Sequence, residues 1–321
     1  MKTVGIIGSS GFIGSHTTKK FLDKGFKVKA SVTDISKTEK YHHLKSLNNA
    51  ENLEIVQLKV ENKEQLKEFA SGCNILVHGG TPFQLEVQDP KTELFDPTIE
   101  GTKNFLEVLN TASGIEKVVF VASVGAYNTN FPLPPDGLGP DDTIDEENTP
   151  FISEESHPYA QAKFIANQTV EKYIKEHPAI DFEITSVSPV GVMGMALSKR
   201  EDSTSSGLQF LFKNRIAPNP FIQMIYETDA EFALVDVKDV AEGVYRAAVK
   251  KGLHGKNYLL SSESWKVSDI SVLLNGEKPK GNAKIVYKND AAKRDLGIEF
   301  NSAIVPLTEF SNNVAVKSTH K

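Results

Sequence analysis

Tyr159 and Lys163 stand four residues apart in the run Tyr159-Ala160-Gln161-Ala162-Lys163, so on a helix they share one face and an ammonium can lie near a phenol. A phenol of pKa about 10 is a poor acid–base group at neutral pH, and a cation beside it favours the phenolate and lowers that value. The pair therefore points to acid–base catalysis by tyrosine. The same spacing also arises by chance on amphipathic helices, so the pair gains its weight from its surroundings.

A second constellation is the loop Gly8-Ser9-Ser10-Gly11-Phe12-Ile13-Gly14, which follows a short apolar run and opens a helical one. Bare backbone N–H groups and the positive end of a helix dipole at such a junction suit the pyrophosphate of a dinucleotide. Gly8 serves the tight turn, Gly11 the close approach of the diphosphate, and Gly14 the packing of helix on strand.

The elements that must position these groups follow from periodicity. Val4–Ile7, Lys27–Val32, Glu54–Leu58, Ile75–Val77, Val118–Val121 and Ile184–Val187 are short, mainly β-branched runs that predict strands. Helical spacing lies between them at Phe12–Lys24, Asn62–Ala70, Thr98–Leu109 and Tyr159–Glu176. This alternation predicts an α/β fold with a doubly wound parallel sheet, a Rossmann domain over 1–188. After Pro189 the alternation weakens. A smaller mixed substrate lobe is expected over 189–321, sharing the core and containing a helix at Asp236–Lys250 and a strand at Asn257–Leu260. Residues 128–158 hold six prolines, eight carboxylates and no lysine or arginine, and predict a loop, either a solvated insertion or an active-site rim.

Composition narrows the partners. The 321 residues, 39% hydrophobic, are enough for a substantial core. A formal net charge of −6 leaves no basic footprint for nucleic acid. One cysteine, Cys73, and eight histidines without paired spacing give neither a disulfide nor a metal signature. No signal peptide or membrane span is legible, and a cytoplasmic location is expected.

Taken together, Gly8-x-x-Gly11-x-x-Gly14, His78-Gly79-Gly80-Thr81-Pro82, Glu100-Gly101-Thr102, Val121-Ala122-Ser123, the Tyr159–Lys163 run and Val235-Asp236-Val237-Lys238-Asp239-Val240-Ala241 resemble the extended short-chain dehydrogenase/reductases. The resemblance covers nearly the whole chain and is strongest to the branch of dihydroflavonol reductase, cinnamoyl-CoA reductase and microbial aldehyde or ketone reductases. It implies an NAD(P)-dependent oxidoreductase in which hydride passes to a carbonyl carbon, Tyr159 protonates the oxygen and Ser123 holds it. Lys163 would also bind the nicotinamide ribose. The resemblance further implies cofactor contacts from Ser10, Phe12, Ile13, Gly80, Thr81, Pro82, Pro189 and Val192.

Departures bear on the choice of cofactor. Relatives that prefer NADPH usually carry arginine where Thr33 stands, and Val32 replaces the acidic strand end that would favour NAD. Lys37 and Lys40 occupy positions where relatives hold the 2′-phosphate, which leans the expectation to NADP(H). Lys59 replaces a common aspartate, leaving the Val60 backbone for the adenine.

Met193, Met195, Phe210, Phe212, Phe221, Met224 and Tyr226 offer apolar groups to a substrate pocket or to ordinary lobe packing. The carboxylates of 128–158 would repel highly anionic substrates, so a small neutral aldehyde, ketone or alcohol is the expected substrate of a monomer or homodimer. Two rivals stand beside this reading. One is a nucleotide-sugar epimerase or dehydratase, although Lys199, Arg200, Lys213 and Arg215 make no convincing cationic cluster. The other is a non-catalytic dinucleotide-binding regulator, against which the intact dyad argues.

Overall fold

The computed structural model describes residues 1–79, 88–139, 141–198 and 204–318. Ten strands are present among them: β1 (Thr3–Ile7), β2 (Lys27–Val32), β3 (Leu53–Gln57), β4 (Ile75–His78), β5 (Lys117–Val121), β6 (Glu183–Pro189), β7 (Gly191–Met193), β8 (Glu231–Asp236), β9 (Asn257–Leu260) and β10 (Glu263–Lys266). The helices are α1 (Phe12–Asp23), α2 (His42–Lys45), α3 (Lys63–Ala70), α4 (Asp96–Leu109), α5 (Pro158–Glu176), α6 (Thr204–Asn214), α7 (Pro220–Thr228), α8 (Val237–Val249), α9 (Val267–Leu274) and α10 (Ile304–Ser318).

Seven strands form one sheet in the order β3-β2-β1-β4-β5-β6-β9, all paired in parallel. Such a sheet needs cover on both faces, which is why β4 and β5 are buried at every residue. On one face Phe21 and Leu22 of α1 pack with Val240, Val244 and Ala247 of α8. On the other, Leu66 and Phe69 of α3, Phe105 and Leu109 of α4, and Val170 and Tyr173 of α5 pack against Leu76 and Val118. The doubly wound sheet expected from the β-α alternation is therefore present. The chain order reverses between β1 and β4, and open sheets of this kind hold ligands in the crevice at such a reversal.

A small sheet of order β10-β8-β7 is mixed, with β7 parallel and β10 antiparallel to β8. With α6, α7 and α9 it encloses a separate core of Phe212, Ile222, Phe232, Trp265 and Ile270. One placement needs correction. Asn257–Leu260, expected in the smaller lobe, pairs with β6 and forms the edge of the large sheet. The chain thus returns from the small lobe to finish the large one. It comes back through α8, whose first turn is capped by Asp236 accepting from the Lys238 N–H at 2.9 Å. Asp239, one turn on, accepts from the Asn301 N–H at 2.7 Å, so both acids of the 235–241 motif fix the chain. No helix among the described residues is long and apolar enough to cross a membrane.

Candidate active site

The turn after β1 is built around glycine. Gly8 has φ +81, a left-handed conformation that side chains disfavour, and its carbonyl accepts from the Gly11 N–H at 3.1 Å. A Cβ on Gly14 would stand 2.0 Å from the Gly8 oxygen, so only glycine lets α1 begin so close to β1. Ser31 of β2 locks the turn from the side: its Oγ accepts from the Gly8 N–H at 3.1 Å, and its carbonyl accepts from the Ser9 hydroxyl at 2.7 Å. Gly11 caps α1 with no side-chain bond, and the first turn holds no acid. The N–H groups of Phe12, Ile13 and Gly14 have no carbonyl within the helix to pair with, and nothing negative competes for the dipole. This rigid, uncapped cradle fits a diphosphate.

Across the crevice β5 ends at Val121, and Ser123 follows with extended backbone, its Oγ accepting from the Gly125 N–H at 3.2 Å. The helix that faces it, α5, starts at His157, whose Nδ1 accepts from the Tyr159 N–H at 3.2 Å, with Pro158 at the first helical position. These two starts bring Tyr159 into hydrogen-bond contact with Ser123. One turn later Lys163, 7% exposed, donates to the Val121 carbonyl at 2.9 Å. Burial lowers its ammonium to a pKa of about 8. Burial also pushes the Tyr159 phenol above its ordinary value, with the Ser123 hydrogen bond pulling the other way. Loss of solvent thus moves the phenol in the opposite direction to the lowering expected from a neighbouring cation.

Ser123 and Tyr159 open into a cavity of about 140 Å³. Ile13 of the glycine loop lies on one wall, with Pro189 and Val192 at the end of β6 and on β7. The other walls are Phe131 and His157 from the 128–158 segment, and Leu208, Phe221 and Phe232 from the small lobe. Among the described residues lining it there is no carboxylate, lysine or arginine. The family model that matches residues 4–261 is that of the NAD dependent epimerase/dehydratase family. The chain belongs to this family.

Within the epimerase/dehydratase family the similarity runs to reductases. A cinnamoyl-CoA reductase of Medicago truncatula is 28% identical over 78% of this chain and 74% of its own length. A bifunctional dihydroflavonol 4-reductase/flavanone 4-reductase of Pyrus communis is 29% identical over 94% of this chain and 87% of its own. Among solved structures, the yeast methylglyoxal/isovaleraldehyde reductase complexed with NADPH matches with a TM-score of 0.81, covering 99% of this chain and 100% of that one at 20% identity. That likeness is one of fold.

Of the residues the sequence singled out, Ile13, Ser123, Tyr159, Pro189 and Val192 meet at this cavity. Lys163 lies behind it, against the end of β5. Thr33 and Lys37 are exposed and Lys40 is half-exposed beyond β2, where the Lys37 ammonium lies 3.8 Å from the Asp34 carboxylate. Val60, past β3, leans on Gly101 of α4. Gly80, Thr81 and Pro82 lie outside the described residues.

Of the seven apolar candidates from the small lobe, most serve lobe packing, one of the two roles expected of them: Met193 and Phe212 are fully buried in the lobe core, Met195, Met224 and Tyr226 pack against it, Phe210 is 52% exposed, and Phe221 lines the cavity. One expectation is corrected. The 128–158 carboxylates do not form the rim of the cavity: Asp145, Glu146 and Glu147 face a separate cleft with Lys256, Lys288 and Arg294. Their charge is better accommodated there, beside cations, than next to an apolar cavity.

Sequence reasoning passed over Phe131, His157, Val190, Leu208 and Phe232. Only His157 carried a legible signal, a polar residue and proline just ahead of a helical run. Its ring stands 5.2 Å from that of Phe221, and both line the cavity.

Proposed function

We propose that this chain is an NADPH-dependent reductase of neutral aldehydes or ketones, with Tyr159 as proton donor and Ser123 holding the carbonyl oxygen. The observation that carries the reading is the hydrogen-bonded Ser123–Tyr159 pair, opening into a cavity without described charge beside the glycine cradle. A reduced nicotinamide, when bound, would supply the hydride to the carbonyl carbon. The loop Gly8–Gly14 with Ser10, Phe12 and Ile13 would hold its diphosphate, Lys163 its ribose, and Pro189 and Val192 would border its ring.

Several observations support this assignment. The raised phenol keeps its proton at neutral pH, which suits reduction. Apolar walls from Phe131, Leu208, Phe221 and Phe232 favour an uncharged substrate over a nucleotide sugar, whose diphosphate needs cations. Lys37 and Lys40 supply positive charge past β2 for a 2′-phosphate, and the fold neighbour from yeast was solved with NADPH. We assign residues 1–188 to cofactor binding and 189–321 chiefly to substrate.

The test is oxidation of NADPH or NADH with a panel of neutral carbonyl compounds, run beside Tyr159→Phe. Turnover that needs Tyr159 and prefers NADPH is expected. Equal turnover by the variant, or selective use of a UDP-sugar or a CoA thioester, would overturn the assignment.

A further inference from the structure

Gly191 opens β7 with a backbone outside the left-handed region, so what this position requires of glycine is space. A Cβ there would stand 2.3 Å from Cε1 and 3.0 Å from Cδ1 of Phe232, and 2.9 Å from the Ala233 carbonyl oxygen. Register explains the approach. Gly191 is paired with Leu234 on the parallel strand β8, and Phe232 lies two residues earlier on the same face of that strand. The Phe232 ring thus fills the volume that a side chain at 191 would take.

Two further rings wedge it in place. Phe131 meets Phe232 edge-on with centroids 4.9 Å apart, Phe212 does so at 5.4 Å, and Phe232 is buried. Both Gly191 and Phe232 line the cavity that Ser123 and Tyr159 open into. The other phenyl walls, Phe131 and Phe221, are half-buried, one on the irregular 128–158 segment and one in the first turn of α7. Phe232 instead belongs to a strand paired on both sides, with β7 and with β10. A closely packed interior takes an oversized group only with strain, so among these walls Phe232 is the one least able to move aside.

The space inside these walls is about 140 Å³. An apolar cavity of roughly 150 Å³ holds a single benzene ring. Resting on the reductase reading above, we propose that Phe232, seated over Gly191, sets the size of the substrate, so that the chain reduces carbonyl compounds of one aromatic ring or a short branched chain and rejects those with fused rings. The glycine and the phenylalanine act as a unit: the ring takes volume from the cavity, and the missing side chain at 191 provides its seat.

Steady-state rates with NADPH test the proposal on acetophenone, which has one ring, and 2-acetylnaphthalene, which has two fused ones. The wild type should favour acetophenone in kcat/KM by at least tenfold, since even one methylene group in an apolar pocket is worth about 10–200-fold. Phe232→Val should bring the ratio close to unity, chiefly by raising kcat/KM for the naphthyl ketone. Phe232→Leu, nearer in volume, should shift it part of the way and carries the test if the valine variant does not fold. Phe212→Leu removes a ring from the same lobe core but not from the cavity wall, so it should lower Tm and leave the ratio as in the wild type. Equal use of both ketones by the wild type, or a ratio that moves no further in the Phe232 variants than in Phe212→Leu, overturns the proposal. Absence of any carbonyl reduction by the wild type defeats the reductase reading alone. Calorimetric titration of the two ketones in the presence of NADP+ then decides the size limit: Phe232→Val should gain affinity for the naphthyl ketone at least tenfold over the wild type, and no gain overturns the role of Phe232.

Discussion

Tyr159 and Lys163 were legible because helical spacing survives in a bare sequence, whereas their electrostatics depend on what surrounds them. A neutral, buried Tyr159 predicts that Tyr159→Phe lowers kcat by about 10²–10⁴-fold while leaving the dissociation constant of NADPH unchanged, measurable by steady-state rates and fluorescence titration. On the proposed mechanism, Lys163 would set the pH limit. Its ammonium is fully present well below its pKa of about 8 and is lost as pH rises through it, so reductive kcat should be level through neutrality and fall above that value. A pH–rate profile checks this, and a plateau extending to pH about 10, the range of an unperturbed lysine, would contradict it. His157 and Phe131 were harder to read, since neither has a periodic neighbour and both reach the cavity from an irregular segment.

Element boundaries were legible where caps mark them. Asn62 accepts from the Gln65 N–H at 3.1 Å ahead of α3, and Asp236 does the same for α8, so both helices start where their polar residues suggest. The strand expected at Glu54–Leu58 instead spans Leu53–Gln57; Leu58 is buried just past its end, its N–H donating to the Val32 carbonyl at 2.8 Å. The 128–158 segment predicts a loop, and its described residues as far as His157 form one, but which of its side chains turn inward depends on tertiary packing. Two predictions belong to the cofactor-binding elements. Gly14→Ala places a methyl against the Gly8 carbonyl, so dinucleotide binding should weaken by at least tenfold in a titration. Lys37→Ala should raise KM for NADPH several-fold and leave KM for NADH unaltered, because only the 2′-phosphate needs that charge.

At the scale of the whole molecule, the far end of the large sheet is held by Glu183. It accepts from Lys117, which is buried on the adjoining strand, and from the N–H groups of Gly252 and Leu253 at 2.9 and 3.1 Å. Partial burial pushes this carboxyl up, but those donors prevail and hold it at about 2. A depressed carboxylate stabilises the fold fully above its unfolded value, about 4.3, and progressively less as pH falls toward the folded one. Glu183→Gln should cost about 1–3 kcal/mol at neutral pH, seen as a lower Tm, and the gap to wild type should narrow in acid. The strands through β6 were legible, where β and α alternate; that Asn257–Leu260 joins the same sheet was not, because 67 residues separate Pro189 from Asn257. That detour also matters during synthesis. At about 5–20 residues per second, β6 leaves the ribosome roughly 3–14 s before β9 exists to pair with it. For that interval the nascent chain carries an unpaired apolar strand edge, and α1 lacks its α8 neighbour, so a chaperone that shields sheet edges would have its greatest effect on yield before residue 260 emerges.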